Sequence, residues 1–278
     1  MLQAADVVFG YGRAQVLRGV SLTVQAGGFV GILGPNGSGK TTMLKVLAGT
    51  LRPASGRVTI DGRDIAGVPR AALARRLAVV PQETHLAFEY TVLEVVLMGR
   101  YPHLGAFEIE GPADIAIARE ALAATGTLAF QDRPFETLSG GEKQRVIIAA
   151  ALAQIDATRH GAALPPQPGE SILLLDEPTA ALDLAYQLEL ASLLRTLKAR
   201  LPVTVVVSTH DLNFAASLCR TLVLLKSGTV LASGDTDDVL TPDNVRRLYG
   251  VAADIQRHPA TGRLVVVPLG RVQEGPPA

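Results

Sequence analysis

Hydrophobic residues along the chain follow two patterns that predict β-strands. Apolar and polar residues alternate at 6–11 and 16–24, with glycines between them, which is typical of antiparallel strands with one buried face. Continuous apolar runs at 29–33, 172–175 and 203–207 are typical of strands buried on both faces of a parallel sheet. We therefore predict a mainly parallel sheet with an antiparallel layer at the N-terminal side.

Helical patterns separate these strands. The stretch from Thr91 to about 126 starts with a Thr-x-x-Glu helix signal, and further helices are predicted at 142–153 and 182–200. We interpret the chain as a single domain of the α/β class. Its predicted parts are a core at 1–90 and 154–250, an inserted α-helical subdomain at 91–153, and a C-terminal hairpin and tail at 251–278.

Composition excludes several classes of protein. Apolar residues make up 48% of the chain, which is enough for a large core, and the formal net charge is zero, so we expect no nucleic-acid partner. Cys219 is the only cysteine, which excludes an internal disulfide and favours a reducing compartment. We expect no signal peptide, and no run approaches the roughly 18 apolar residues that a membrane span needs.

The segment 155–170 is rich in proline and glycine, so it is predicted to be a surface loop. Two interpretations stay open, a contact with a partner protein and a tolerated insertion.

The stretch 34–42 directly follows the apolar run 29–33 and fits the pattern G-x-x-x-x-G-K-[ST]. It consists of Gly34, Pro35, Asn36, Gly37, Ser38, Gly39, Lys40, Thr41 and Thr42. Glycines let backbone N–H groups approach a phosphate chain, and the helix that follows, to about Gly49, directs its N-terminal dipole at the anion. We predict that the loop binds a nucleotide's phosphates, with Lys40 at the terminal phosphates and the Thr41 hydroxyl on Mg²⁺.

Four further motifs follow in a fixed order. They are Val79-Val80-Pro81-Gln82-Glu83, Leu138-Ser139-Gly140-Gly141-Glu142-Lys143-Gln144-Arg145, Ile172-Leu173-Leu174-Leu175-Asp176-Glu177-Pro178 with Ala181-Leu182-Asp183, and Val207-Ser208-Thr209-His210-Asp211. With the phosphate loop, they make the chain resemble the nucleotide-binding subunit of an ATP-binding cassette (ABC) transporter over about residues 5–245. The resemblance implies a P-loop NTPase core that binds Mg-ATP and hydrolyses it.

The acidic and amide residues of these motifs suit that reaction. Asp176 ends a buried strand, where a carboxylate can hold Mg²⁺ directly or through water, and Glu177 could polarise the attacking water. Gln82 is predicted to end a strand, and its amide is able to contact both Mg²⁺ and that water. By resemblance, His210 contacts the γ-phosphate. A solvated strand end is the alternative interpretation of the two acids.

Ser139, Gly140 and Gly141 precede a helix and so offer a second anion site. Because one chain needs only one such site for the γ-phosphate, the second would serve a neighbouring subunit. The resemblance implies a head-to-tail dimer of two copies that encloses ATP, with Asp183 in the loop at the interface. A plain glycine-rich helix start is the alternative.

Tyr11 and Val16 complete the expected nucleotide site. An aromatic face can stack on adenine, and the resembled family has an aromatic residue at the place of Tyr11, just before Val16. As an ordinary strand residue, Tyr11 would instead belong to the core.

Because the sequence predicts no membrane span, the resemblance implies a separate permease. The groove around Gln82–Leu104 would receive a short permease helix, which places the chain peripherally on the cytoplasmic face of the cell membrane. A periplasmic or extracellular substrate-binding protein would act indirectly.

The stretches 91–103, 239–242 and 248–251 resemble those of importers of chelated iron and cobalamin. We expect the cargo to be a ferric siderophore or cobalamin ahead of haem. The alternatives are the ATPase of an exporter and a soluble ABC ATPase without a transport role.

Overall fold

The structure of the protein, a computed structural model, describes residues 1–84, 86–157, 171–180 and 182–272. The strands are β1 Leu2–Tyr11, β2 Ala14–Val24, β3 Phe29–Leu33, β4 Ser55–Ile60, β5 Arg63–Asp64, β6 Leu77–Val80, β7 Ser171–Asp176, β8 Val203–Thr209, β9 Thr221–Lys226, β10 Thr229–Asp235, β11 Val251–Arg257 and β12 Leu264–Arg271. The helices are α1 Lys40–Leu47, α2 Arg70–Ala74, α3 Val92–Leu97, α4 Pro112–Ala124, α5 Gly140–Gln154, α6 Leu184–Arg200, α7 Leu212–Leu218, α8 Thr236–Val239 and α9 Pro242–Tyr249.

The chain divides into two compact units, each built from separate stretches of sequence. The first unit contains Met1–Leu2, Val24–Gly28 and the described part of Thr59–Val207. The second contains Gln3–Thr23, Phe29–Val58 and the described residues from Ser208 onward.

In the second unit, β3 lies parallel to β9, and β9 pairs antiparallel with β10. The β9–β10 turn consists of Ser227 and Gly228, both with positive φ (48° and 79°), as a tight hairpin turn requires. A two-residue turn also joins β1 to β2, so these strands are antiparallel, and on β2 the buried side chains of Val20 and Leu22 alternate with exposed neighbours. The predicted α/β class, with parallel strands and an antiparallel layer, is confirmed.

The second unit ends in a hairpin. Strands β11 and β12 pair antiparallel from Val251↔Arg271 to Arg257↔Leu264. The hairpin contacts the helices α7 and α9.

In the first unit, β6 and β7 are parallel neighbours in register from Leu77↔Ile172 to Val80↔Leu175, and β8 lies next to β7. Every residue of β7 is buried, which is the reason for its continuous apolar run. The helices α3, α4 and α5 pack against one another.

A buried ion network holds this group of helices together. Arg100, which is 4% exposed, donates hydrogen bonds to Asp114 Oδ1 (3.0 Å), to the Ala153 carbonyl oxygen (2.6 Å) and to Asp156. Burial acts to raise the pKa of Asp114, but the hydrogen bonds from Arg100 and from the Gly111 N–H outweigh it and hold that pKa below its ordinary value of 3.8.

Three predicted boundaries are wrong. Strand β6 ends at Val80 because Pro81 has no N–H for the ladder, so Gln82 lies beyond the strand and not at its end. Helix α5 begins at Gly140 rather than at 142, and α6 begins at Leu184 rather than at 182. The N-cap residues, Ser139 and Asp183, set the starts of these two helices.

Part of the sequence predictions falls outside the described residues. This is the case for 158–170 of the proline-rich segment, for His85, for Ala181 and for 273–278 of the predicted tail. Among the helices of the described chain, none combines the length and the apolar character needed to cross a membrane.

Candidate nucleotide site

The phosphate loop lies in the second unit, between the fully buried strand β3 and helix α1. A Cβ atom on Gly34 would stand 2.2 Å from the Leu225 carbonyl oxygen, so only glycine fits there. Gly39 has φ of 104°, a conformation that side chains other than glycine rarely adopt. The loop backbone is also held from outside, since the Gly228 N–H donates to the Ser38 carbonyl oxygen (3.1 Å).

Lys40 provides a cation inside this loop. Its Nζ atom donates hydrogen bonds to the carbonyl oxygens of Gly34 (2.8 Å) and Pro35 (3.1 Å), and the residue is only 5% exposed. Gly39, at the N-cap of α1, has no side chain with which to cap the helix, and the first turn of α1 contains no acid. The positive end of the helix and the ammonium group therefore both favour an anion at this place.

Ser38 supplies a test of whether a polyphosphate fits. Its hydroxyl oxygen is buried and has no hydrogen-bond partner within the described chain. An unpaired buried hydroxyl costs about 1–3 kcal/mol, and a phosphate oxygen would satisfy it. The loop therefore has the donors, the cation and the backbone access that a phosphate chain requires.

Val16 lies beside the loop, and Tyr11 is accessible at the end of β1. A Cβ on Gly39 would stand 3.4 Å from Val16 Cγ1, which places this side chain next to the start of α1. The Tyr11 ring is 51% exposed and meets Phe9 edge to face, with the ring centroids 5.0 Å apart. Tyr11 is therefore not a core residue, and one side of its ring is available for stacking.

His210 lies in the second unit as well, in the two-residue connection between β8 and α7. Its neighbours are fixed by side-chain hydrogen bonds. The Thr209 hydroxyl accepts from the Asp211 N–H (3.0 Å), and Asp211 Oδ1 accepts from the N–H groups of Asn213 (2.8 Å) and Phe214 (2.9 Å) to cap α7. The His210 side chain is exposed at this turn.

In the first unit, three of the predicted residues line one cavity. Gln82, Glu177 and Gly140 face a space of about 180 Å³. These residues come from three separate motifs, so the fold brings together an amide, a carboxylate and a helix N-terminus that the sequence keeps far apart.

Asp176 and Glu177 are buried, each with 6% exposure. The alternative interpretation, a solvated strand end, is therefore wrong. Asp176 is the last residue of β7, and Glu177 has a positive φ of 45°. Non-glycine residues in this conformation are strained by about 1–3 kcal/mol, and they occur in turns and at functional sites.

Ser139 is the N-cap of α5 in a capping box. Its hydroxyl oxygen accepts from the Glu142 N–H (3.4 Å), and Glu142 Oε2 accepts from the Ser139 N–H (2.8 Å). Hydrogen bonds that the Ser139 N–H and the Ser139 hydroxyl donate to the Glu142 carboxylate lower the pKa of Glu142. The donors that this helix start offers to an anion are therefore the backbone N–H groups of its first turn.

Tyr186 lies next to two of the predicted site residues, Asp183 and Gly141. It is not itself among the residues predicted from the sequence. Asp183 caps α6 by accepting from the Tyr186 N–H (3.0 Å), and a Cβ on Gly141 would stand 2.3 Å from the Tyr186 ring. Only the fold reveals this contact, since the sequence signal would be a glycine and a tyrosine on different helices.

Comparison with known protein families identifies relatives of the whole chain. The family described as ABC transporter matches residues 17–157. The hemin import ATP-binding protein HmuV of Bordetella pertussis is 43% identical over 268 residues, which cover 96% of this chain and 98% of that protein. The cobalamin import ATP-binding protein BtuD of Halobacterium salinarum is 40% identical over 255 residues, or 92% of this chain and 60% of that protein.

Two solved structures of ABC transporter chains are similar to this chain. A chain assigned to a metal-chelate type ABC transporter, in an inward-facing conformation, is similar with a TM-score of 0.80 and 30% identity, and 96% of each chain is covered. A dimeric bacterial ABC transporter cassette is similar with a TM-score of 0.69 and 32% identity, covering 85% of this chain and 99% of that one.

Proposed function

Because the chain belongs to the ABC transporter family as an ATP-binding ATPase subunit, we propose that it drives the import of a metal chelate, with haem as the favoured cargo. The observation that carries this proposal is the 43% identity, over almost the full length of both chains, to a protein named for hemin import. This order of cargoes differs from the one expected from the sequence, where haem came after ferric siderophores and cobalamin. Cobalamin is the second candidate because of the relative from Halobacterium salinarum.

The phosphate loop would bind the ATP phosphates. Lys40, already enclosed by the loop carbonyls, would exchange these hydrogen bonds for phosphate oxygens, and the Ser38 hydroxyl would gain a partner. Tyr11 would stack on adenine, with Val16 beside the loop.

Mg²⁺ would neutralise charge on the β- and γ-phosphates. We assign its protein ligands to the Thr41 hydroxyl, the Asp176 carboxylate and the Gln82 amide, because hydroxyl, carboxylate and amide oxygens are the ligands that this ion prefers. Hydrolysis that persists in EDTA would contradict this assignment.

Glu177 is proposed as the group that accepts a proton from the attacking water, and His210 as the contact to the γ-phosphate. The burial of Glu177 supports its role, since a carboxylate shielded from solvent is a stronger hydrogen-bond acceptor for one bound water. The exposed imidazole of His210 is accessible to a ligand without rearrangement of its turn.

We propose that two copies enclose ATP. Ser139, Gly140 and Gly141 would contact the γ-phosphate bound to the other copy, and Asp183 would lie at the interface. Two features support this arrangement, the backbone N–H groups at the second helix N-terminus and the likeness to a dimeric cassette.

A separate permease would dock on the surface around Gln82–Leu104. Support comes from two exposed aromatic side chains of this stretch, Phe88 (72% exposed) and Tyr101 (59%), which a permease helix could cover. The chain would then lie peripherally on the cytoplasmic face of the cell membrane, and a binding protein on the other side would deliver the cargo.

ATP hydrolysis in liposomes tests this proposal. The chain would be reconstituted with its permease, and the binding protein would be added empty or loaded with haem, ferric siderophore or cobalamin. We expect selective stimulation by the haem-loaded form, with Glu177→Gln as the inactive control. Stimulation by another chelate alone would overturn the assignment to haem, and hydrolysis indifferent to all three would overturn import and favour an exporter or a soluble ATPase.

A further inference from the structure

Tyr249 contacts the main chain of His210, the residue that we propose to contact the γ-phosphate. Its hydroxyl group donates a hydrogen bond to the carbonyl oxygen of His210 (3.1 Å), which lies 39 residues earlier in the chain. Tyr249 is the last residue of α9, and Gly250 ends this helix with φ of 68°. The position of the tyrosine is therefore set by the way α9 ends.

The C-terminal hairpin fixes that helix end. Strand β11 starts at Val251, and the N–H of Val272, just beyond β12, donates to the Gly250 carbonyl oxygen (3.0 Å). Both ends of the hairpin thus meet at Gly250, directly next to Tyr249.

The same hairpin is also tied to the helix that follows His210. The Asn213 side chain donates from Nδ2 to the Val266 carbonyl oxygen (3.2 Å) and accepts from the Val266 N–H at Oδ1 (2.8 Å). Through Asn213 on one side and Tyr249 on the other, α9 and the hairpin hold the turn that carries His210.

His210 and Tyr249 face the same open recess of the surface. Its volume is about 310 Å³, and its other walls are mostly apolar side chains of α9 and the hairpin. The hydrogen bond from Tyr249 restricts the direction of the His210 carbonyl group at the edge of this recess.

We propose that Tyr249 is a positioning residue for His210, and that the C-terminal α9–hairpin segment keeps the imidazole in its productive place during ATP hydrolysis. The inference rests on the proposed contact of His210 with the γ-phosphate. It assigns a function to a C-terminal stretch that contains none of the nucleotide-binding motifs.

The test is the variant Tyr249→Phe of the full chain, which removes one hydroxyl group and keeps the ring. We expect kcat for Mg-ATP hydrolysis to fall about two- to tenfold, the effect of losing one neutral hydrogen bond, and KM for ATP to stay unchanged because the phosphate loop is intact. In NMR spectra of ¹⁵N-histidine-labelled protein, the His210 resonance, identified by its loss in His210→Ala, should shift or broaden.

Thr241→Ala is the matched control. The Thr241 hydroxyl caps the other end of α9 by accepting from the Asn244 N–H (3.2 Å), so its loss loosens the same helix without touching His210. We expect its kcat to equal that of the wild type.

Three results would count against the inference. A wild-type kcat together with an unchanged His210 resonance in Tyr249→Phe would overturn it, even when His210→Ala is inactive. An equal loss of kcat in Thr241→Ala would assign the effect to helix packing. Normal hydrolysis by His210→Ala would remove the proposed role of His210 itself, and so separates failure of the premise from failure of the inference.

Discussion

The closeness of the Tyr186 ring to Gly141 predicts different stabilities for alanine variants of two neighbouring glycines, Gly140 and Gly141. A Cβ on Gly141 would stand 2.3 Å from Tyr186 Cδ1 and 2.8 Å from Cγ, whereas a Cβ on Gly140 would meet only Leu182 Cδ2 at 3.9 Å. Neither glycine has a positive φ, so the backbone conformation tolerates alanine at both positions. The two substitutions thus differ mainly in the space available.

The expected magnitude follows from that geometry. Because carbon atoms in contact are about 3.5–4.0 Å apart, Gly141→Ala forces the Tyr186 ring or the start of α5 to move by about 1.2 Å or more. Overpacking of this kind costs about 1–3 kcal/mol, while replacing glycine by alanine in a helix gains up to about 1 kcal/mol at either position. We expect Gly141→Ala to be about 1–3 kcal/mol less stable than Gly140→Ala.

Urea unfolding followed by circular dichroism measures this difference, provided that both variants keep the wild-type m-value. The same pair should then be compared in a Tyr186→Ala background, where the obstructing ring is gone. The difference between the two alanine variants should shrink there by most of its value, as a double-mutant cycle reports for residues in contact. Equal stabilities in the wild-type background, or a difference that persists without the ring, would refute the reasoning.

Three further predictions concern other residues. Lys40→Met should lower ATP affinity about tenfold or more, because a charged hydrogen-bond donor to the phosphates is lost; unchanged affinity in calorimetry would contradict this role. Glu177→Gln should keep ATP binding and accumulate an ATP-bound dimer in size-exclusion chromatography, with hydrolysis reduced about 10²–10⁴-fold; hydrolysis at the wild-type rate would exclude Glu177 as the general base. Asp114→Asn should destabilise the protein by about 1–3 kcal/mol at neutral pH, because Arg100 loses a charged partner. Since the folded-state pKa of Asp114 is lowered, its stabilising contribution is present above the ordinary value of 3.8 and is lost as the pH falls further, so the difference from wild type should shrink below pH 3.8; a constant difference in unfolding free energy would contradict this.

Short-range patterns predict much of this fold because they reflect local physics. The runs at 172–175 and 203–207 are strands, each longer in the structure than in the prediction. The added residues, such as Ser171, are polar and yet buried, and the Ser171 hydroxyl is satisfied by the Ile155 carbonyl oxygen (3.2 Å). A hydrophobic pattern cannot include a buried polar residue whose partner comes from another part of the chain.

The residues of the candidate phosphate loop could be proposed from the sequence for the same reason. A phosphate loop needs glycines at fixed spacing and a lysine at the helix start, so its residues are neighbours in sequence. The structure adds that two loop carbonyl oxygens accept hydrogen bonds from Lys40, and that the Leu225 carbonyl oxygen leaves no room for a side chain at Gly34. The approach of Leu225 has no sequence signal, because Leu225 is an ordinary strand residue.

Tyr186 and Tyr249 show where prediction from sequence ends. The Tyr186 ring lies against Gly141, and the Tyr249 hydroxyl donates to the His210 carbonyl oxygen. From the sequence alone, a tyrosine in a helical pattern is more often a simple packing residue. Motifs reveal the groups that react, since those groups must be of one chemical type. The residues that hold them in place need only the right shape at the right distance, so tertiary contact selects them. Substitution of either tyrosine therefore tests how firmly the site is held while every motif residue stays in place.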